Sequence, residues 1–94
     1  MDMELFQECI RETYFEKDNQ RGISSTFLWF MEEVGELARA IGKGNHQDRE
    51  DEFADVFAWL VSLANLCQIN LDKVSQKYLQ GCPKCNAKRC ICKR

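Results

Sequence analysis

The amino-acid sequence predicts an all-α protein, an antiparallel helical bundle that is completed by oligomerisation and followed by a short Cys-rich tail. Apolar residues recur at helical spacing in several segments before residue 81, with polar or glycine-containing stretches between them. One segment, residues 53–69, is apolar nearly all round, as expected of a helix buried on most faces. A chain of 94 residues cannot easily bury such a helix alone, so we expect a homodimer or homotetramer.

Two helices are predicted in the first half of the chain. Asp2 is a suitable N-cap for the first helix, whose apolar face runs to about Lys17. The polar stretch 18–22 is expected to end this helix. Ser24 or Ser25 is the natural N-cap of the second helix, which carries a wide cluster of aromatic side chains in its first turns.

Two further helices follow the glycine-rich loop 42–45. Asp48 is the expected N-cap of the third helix, which then continues through the long apolar segment. A short fourth helix opens at Asn70 or Asp72 and ends at Gly81. We therefore expect one helical domain over residues 1–81 and a separate tail over residues 82–94.

The net charge of −2 conceals an acidic body and a basic tail. The tail from Cys82 onward holds five of the 13 basic residues and no acid, which leaves eight bases and 15 acids in the body. An acidic body does not favour nucleic acid as a direct partner, and it suits a protein that gathers cations.

The expected compartment is the cytoplasm. No apolar run approaches the roughly 20 residues that cross a bilayer, so we expect no membrane partner. The acidic start of the chain, Met1-Asp2-Met3-Glu4, is unlike a secretory signal.

Paired acids on the second and third helices are the main candidate for chemistry. Glu33 with Glu36, and Glu52 with Asp55, are each three residues apart, so both members of a pair lie on one helix surface. Asp55 lies inside the apolar segment, where an ionised carboxylate needs a partner. The all-oxygen donor set favours Mg²⁺, or Mn²⁺, over zinc. The alternative is an ordinary solvated face of glutamates.

Two acidic motifs, fifteen residues apart, also resemble a known family: Glu32-Glu33-x-x-Glu36 and Glu52-x-x-Asp55. With the V-G-E-L sequence around Gly35, they resemble the signature of the MazG-like all-α nucleoside triphosphate pyrophosphohydrolases. The similarity continues through Asn65 into the stretch 69–72 and covers roughly residues 24–80.

The resemblance implies that Glu33, Glu36, Glu52 and Asp55 hold Mg²⁺. It implies a dimer or tetramer, in line with the burial argument. It also implies that the substrate is a nucleoside triphosphate, which is converted to its monophosphate and pyrophosphate.

Such a site needs divalent ions, because a triphosphate is repelled by four carboxylates unless cations bridge them. Glu32, or a metal-bound glutamate, is the candidate to orient the attacking water. Lys73 and Lys77 are candidates to hold the outer phosphates, although surface lysines are common. Trp59 and the aromatic cluster of the second helix are candidates to select the base.

The tail carries a second motif: Cys82 and Cys85, then Cys90 and Cys92. Four thiols in these two pairs predict a closed tetrahedral zinc site, which is structural rather than catalytic. Disulfides or free thiols are the alternatives.

The sequence thus predicts a Mg²⁺-dependent nucleoside triphosphate pyrophosphohydrolase that acts in nucleotide-pool cleansing. The acids alone leave open a related enzyme that acts on a phosphoribosyl nucleotide. A different class of protein also remains open: a non-enzymatic helical interaction module whose zinc tail binds a partner or nucleic acid.

Overall fold

The computed structural model describes residues 1–93 and confirms the all-α prediction, since no residue in that range lies in a β-strand. The helical elements follow one another in this order: α1 (Met3–Arg21), α2 (Ile23–Lys43), α3 (His46–Leu66), α4 (Leu71–Ser75) and a 3-10 turn (Gln76–Tyr78). The Cys-rich segment beyond them forms turns and bends.

Helix α3 is the centre of the bundle, because it packs against both α1 and α2, while α4 packs on α1. The connection between α2 and α3, Gly44–Asn45, is only two residues long, which makes these helices antiparallel neighbours. The buried apolar side chains come from all three long helices: Ile10, Ala40, Val61 and Ala64. This small core fixes the positions from which α2 and α3 present their acids.

Helix α1 begins where the sequence predicts and ends one turn later. The Asp2 carboxylate accepts a hydrogen bond from the Leu5 amide at 2.8 Å, as an N-cap should. The stretch 18–22 was expected to end the helix after about Lys17, but α1 continues to Arg21. The reason is that Asp18 is only 3% exposed and pairs with Arg21, so this polar turn is packed rather than solvated.

The starts of α2 and α3 differ from the predicted caps. Gly22, with φ of +88°, is both the end of α1 and the N-cap of α2, so neither Ser24 nor Ser25 caps that helix. Helix α3 starts at a capping box in which Asn45 is the N-cap and Asp48 the reciprocal partner. Asp48, which was predicted to be the N-cap, is therefore the third residue of the helix, where its side chain completes the capping box.

A hydrogen-bond network ties α1 to the turn between α3 and α4. The Gln7 side-chain amide donates to Asn65 Oδ1 at 3.0 Å and to the Ile69 carbonyl at 2.8 Å, and its oxygen accepts from the Leu71 amide at 2.9 Å. Asn65 is 2% exposed. Asn70 then caps α4, one of the two predicted starts.

Large apolar side chains remain on the surface of the single chain. Helix α3 was expected to be buried on most faces, yet Phe53 is 57% exposed and Leu60 is 42% exposed. The neighbouring part of α2 exposes four more: Phe27, Leu28, Trp29 and Met31. We call these residues of α2 and α3 the aromatic face. One chain does not cover it, and self-association stays a prediction.

Within residues 1–93, no single helix is long and apolar enough to span a membrane. Helices α3 and α4 with the 3-10 turn pass that test only when taken together across a bend of 114°.

Candidate active site

Three of the four predicted carboxylates meet between α2 and α3. One oxygen each of Glu33, Glu52 and Asp55 lies within 4.8 Å of the other two. Glu52 and Asp55 are one turn apart on α3, and the packing of α2 against α3 brings Glu33 to them. We call these three residues the carboxylate cluster.

The electrostatics of the carboxylate cluster are unfavourable when no cation is present. Burial raises the pKa of Glu33, and a hydrogen bond with Glu52 and the charges of Glu52, Asp55 and Glu36 raise it further. Two ionised carboxylates this close repel each other, and a proton or a cation between Glu33 and Glu52 would relieve that repulsion. Residues so close together are thus arranged for a positive partner.

Glu52 provides a direct test of whether a metal ion fits. Its Oε2 atom is buried and has no hydrogen-bond donor within residues 1–93. A buried carboxylate oxygen without a partner is costly, and a cation removes that cost. The oxygen-only donor set is the type that Mg²⁺ and Mn²⁺ prefer, so the residues fit a hard divalent ion.

Glu36, the fourth predicted ligand, lies outside the tight cluster. It borders a groove of about 370 Å³ between α2 and α3. This α2–α3 groove also contains Glu52, and its other polar lining residues carry charge: Arg39, Lys43, Asp48 and Asp51. The charge of Glu36 still acts on Glu33, so the two are near neighbours. Glu36 is thus adjacent to the carboxylate cluster and also borders the α2–α3 groove.

A second cavity, the α1–α3 cleft, opens next to Asp55 and has a volume of about 290 Å³. Its lining residues come from the end of α1 and the middle of α3: Tyr14, Lys17, Asp18, Arg21, Asp55, Ala58, Trp59 and Ser62. Trp59 lies in this cleft with the Arg21 guanidinium 5.0 Å from its ring centre. The Trp29 ring also stacks on Trp59, with centroids 6.4 Å apart.

The other sequence-predicted site residues lie farther from the carboxylate cluster. Glu32 is exposed and does not belong to the cluster. Lys73 and Lys77 follow the far end of α3, which is about 16 Å along the helix from Asp55 at 1.5 Å per residue. Lys77 Nζ lies 5.9 Å from the Tyr78 ring centre.

Sequence reasoning missed Lys17, Asp18 and Arg21 as cleft residues. It ended α1 at Lys17, which placed Arg21 in a loop. A signal was available, because Tyr14, Asp18 and Arg21 continue the spacing of one helix face.

The four tail cysteines also converge. The sulfur atoms of four cysteines all lie within 4.8 Å of one another: Cys82, Cys85, Cys90 and Cys92. Hydrogen bonds from the backbone N–H groups of Ile91 and Ala87 lower the pKa of Cys85 to about 6.

The remaining cysteines of this group are not equivalent. Backbone N–H groups of Cys85 and Lys84 lower the pKa of Cys82. Hydrogen bonds with Cys90 and Cys85 raise the pKa of Cys92 to about 11. The lowered pKa values of Cys85 and Cys82 favour their thiolates, the form in which cysteine binds metals.

The family model of the MazG nucleotide pyrophosphohydrolase domain matches residues 21–86. The match spans α2, α3 and α4, and it includes every residue of the carboxylate cluster. It also reaches the first pair of tail cysteines. No curated protein matches the chain.

Proposed function

Because the chain belongs to the MazG nucleotide pyrophosphohydrolase domain family, we propose that it hydrolyses a nucleoside triphosphate to a monophosphate and pyrophosphate with Mg²⁺. One observation carries the proposal for this chain. Oxygens of Glu33, Glu52 and Asp55 lie within 4.8 Å of one another, and a buried oxygen of Glu52 has no donor within residues 1–93. Such an arrangement suits a divalent cation, with Mn²⁺ as the substitute.

We assign the metal-holding and water-orienting roles to the following residues. Glu33, Glu52 and Asp55 would hold the metal, with Glu36 as the fourth ligand. A bound Mg²⁺ would neutralise phosphate oxygens and lower the pKa of water, which is the chemistry that phosphoryl transfer requires. Glu32, which is exposed, or one of the metal-holding glutamates would orient the water that attacks the α-phosphorus, with pyrophosphate as the leaving group. Residues that only position reactants still contribute strongly to such reactions.

Trp59, which stacks against Trp29 with ring centroids 6.4 Å apart, and the aromatic cluster of α2 would select the base. A cytoplasmic enzyme of this type removes unwanted nucleotides from the pool. The proposed assembly is a homodimer or homotetramer in which a second copy covers the aromatic face.

We also propose a structural zinc ion in the tail, held by the four cysteines whose sulfurs converge within 4.8 Å. Four thiolates satisfy the tetrahedral preference of zinc and leave no open position for substrate. The zinc would therefore fold the tail without taking part in catalysis.

The test is pyrophosphate release from a panel of ribo- and deoxyribonucleoside triphosphates, with and without Mg²⁺. Turnover of at least one triphosphate is expected only with the metal. Glu36→Gln and Asp55→Asn should lose activity while keeping the helical circular-dichroism spectrum. No turnover by the intact protein, together with no stabilisation by Mg²⁺, would refute the enzyme and favour an interaction module.

A further inference from the structure

Two cavities border the carboxylate cluster, and they differ in charge. The α1–α3 cleft includes Asp55, whereas the α2–α3 groove includes Glu36 and Glu52. A triphosphate bound through the cluster must extend its phosphate chain along one of them. The question is which cavity tolerates several further negative charges.

The α2–α3 groove is unfavourable for an anion. Its two bases, Arg39 and Lys43, face an excess of acids: Glu36, Asp48, Asp51 and Glu52. In the α1–α3 cleft, Lys17 and Arg21 balance Asp18 and Asp55. A metal ion held by Glu33, Glu36, Glu52 and Asp55 would neutralise acids in both cavities. The cleft would then keep Lys17 and Arg21 against Asp18 alone, whereas in the groove Asp48 and Asp51 would still balance Arg39 and Lys43. The cleft is therefore the more positive of the two cavities and the better one for an anion.

Arg21 is held in place before any ligand arrives. Its Nη1 atom donates to Asp18 Oδ1 at 2.8 Å and approaches Thr26 Oγ1 at 3.4 Å. Asp18 and Thr26 are 3% and 0% exposed, so these anchors are built into the core. The guanidinium also lies over Trp59. Both contacts use Nη1, and the other guanidinium donors have no hydrogen-bond acceptor within residues 1–93.

Lys17 supplies a second positive charge on the same side of α1. It precedes Arg21 by four residues, so the two side chains share one helix face. Lys17 is exposed and makes no ion pair within residues 1–93. An anchored guanidinium with free donors and an unpaired ammonium together suit the oxygens of a polyphosphate.

We infer that the α1–α3 cleft receives the phosphate chain of the substrate, with Lys17 and Arg21 as its cationic partners. The inference rests on the proposed pyrophosphohydrolase function. It gives α1, most of which precedes the family match, a direct part in binding substrate. It also gives residues of α1 the role of binding the outer phosphates, for which Lys73 and Lys77 were the candidates in the sequence.

Lys17→Met is the decisive variant, because Arg21→Met would also strand the buried Asp18 charge and destabilise the fold. Loss of one charge-assisted contact should raise KM for the best triphosphate about tenfold, with a smaller change in kcat. Lys17→Arg should restore most of the affinity. Lys43→Met, the matched change in the α2–α3 groove, should leave KM unchanged.

A binding measurement provides a readout besides turnover. In the Trp29→Phe background, Trp59 is the single tryptophan, and it lines the cleft. Titration with an α,β-methylene triphosphate analogue should change its fluorescence, and Lys17→Met should shift the midpoint about tenfold. Circular dichroism checks that each variant folds.

The outcomes separate the two proposals. If the intact protein turns over a triphosphate but Lys17→Met and Lys43→Met bind equally well, the cleft assignment is wrong and the enzyme stands. An effect of Lys43→Met larger than that of Lys17→Met would place the phosphates in the groove instead. If no triphosphate is turned over by the intact protein, the proposed function fails, and the cleft assignment fails with it.

Discussion

The carboxylate cluster and the cysteine cluster are built in opposite ways. The carboxylates come from two helices and converge because α2 packs against α3. The cysteines come from eleven consecutive residues, 82–92, with turns and bends between them. The helical body positions its acids by helix packing, whereas the tail has little apolar surface to bury, so we expect it to depend on the proposed zinc ion. The packing of helices thus places the carboxylates, and we expect metal binding to hold the cysteine loop.

The largest expected effect is on catalytic activity, which should depend on the carboxylate cluster and not on the cysteine cluster. Glu52→Gln should lower kcat/KM for a triphosphate by about 10³-fold, because it removes a metal ligand. Cys90→Ser should change it by less than about threefold, since a closed thiolate site does not catalyse. Steady-state pyrophosphate release measures both, and Glu50→Gln is the matched acid control. A strong loss in Cys90→Ser would contradict the separation.

The second prediction concerns the metal content of the tail. The purified protein should contain one zinc ion per chain, and Cys90→Ser should lose it, whereas Cys9→Ser and Cys67→Ser should keep it, because their thiols lie outside the cluster. Replacement of zinc by Co²⁺ should give thiolate charge-transfer absorption. Zinc retained in Cys90→Ser, or a stable disulfide in reducing buffer, would contradict the tail proposal.

The third prediction concerns the contribution of the Gln7–Asn65 hydrogen bond to the stability of the helical domain. Asn65→Ala should lower the free energy of unfolding by about 1–3 kcal/mol, because Gln7 would lose the partner it has at 3.0 Å. Asn19→Ala, an exposed change on α1, should have almost no effect. Urea unfolding followed by circular dichroism measures both, and equal stabilities would show that the network is dispensable.

The smallest expected effect concerns the metal-free carboxylate cluster. The folded-state pKa of Glu33 is raised, so its contribution to stability is present at low pH and is lost as pH rises through that pKa. Glu33→Gln should therefore stabilise the metal-free protein near pH 7, by about 0.5 kcal/mol. The advantage should vanish at acid pH.

Mg²⁺ should raise the melting temperature of the wild type more than that of Glu33→Gln. Glu12→Gln, an exposed acid on α1, is the control and should behave as the wild type. If Glu33→Gln is less stable than the wild type at neutral pH without metal, the repulsion argument is wrong.

The helices and the acids were predictable because both are local signals. Apolar spacing located four helices, and the structure brings Glu33 of α2 together with Glu52 and Asp55 of α3. The sequence did not reveal that Glu36 lies beside the tight group, since helical spacing puts Glu33 and Glu36 on one surface without showing which of them approaches α3 more closely.

The end of α1 was not predictable from polarity. A run of polar residues usually marks a loop, but here Asp18 is buried by its pair with Arg21. The ion pair lies within α1 and fits helical spacing, but the burial of Asp18 depends on the elements packed against α1, which spacing alone does not specify. The α1–α3 cleft was missed for the same reason.

Gly81 has a consequence for how the tail is attached. With φ of +108°, a Cβ atom there would meet the Ala87 carbonyl oxygen at 2.6 Å and the Lys88 Cα at 2.8 Å. The chain therefore turns sharply between the last helical turn and the cysteine loop, and only a residue without a side chain fits at this turn. Alanine at this position should displace the cysteine loop and so disturb the arrangement of the four sulfurs.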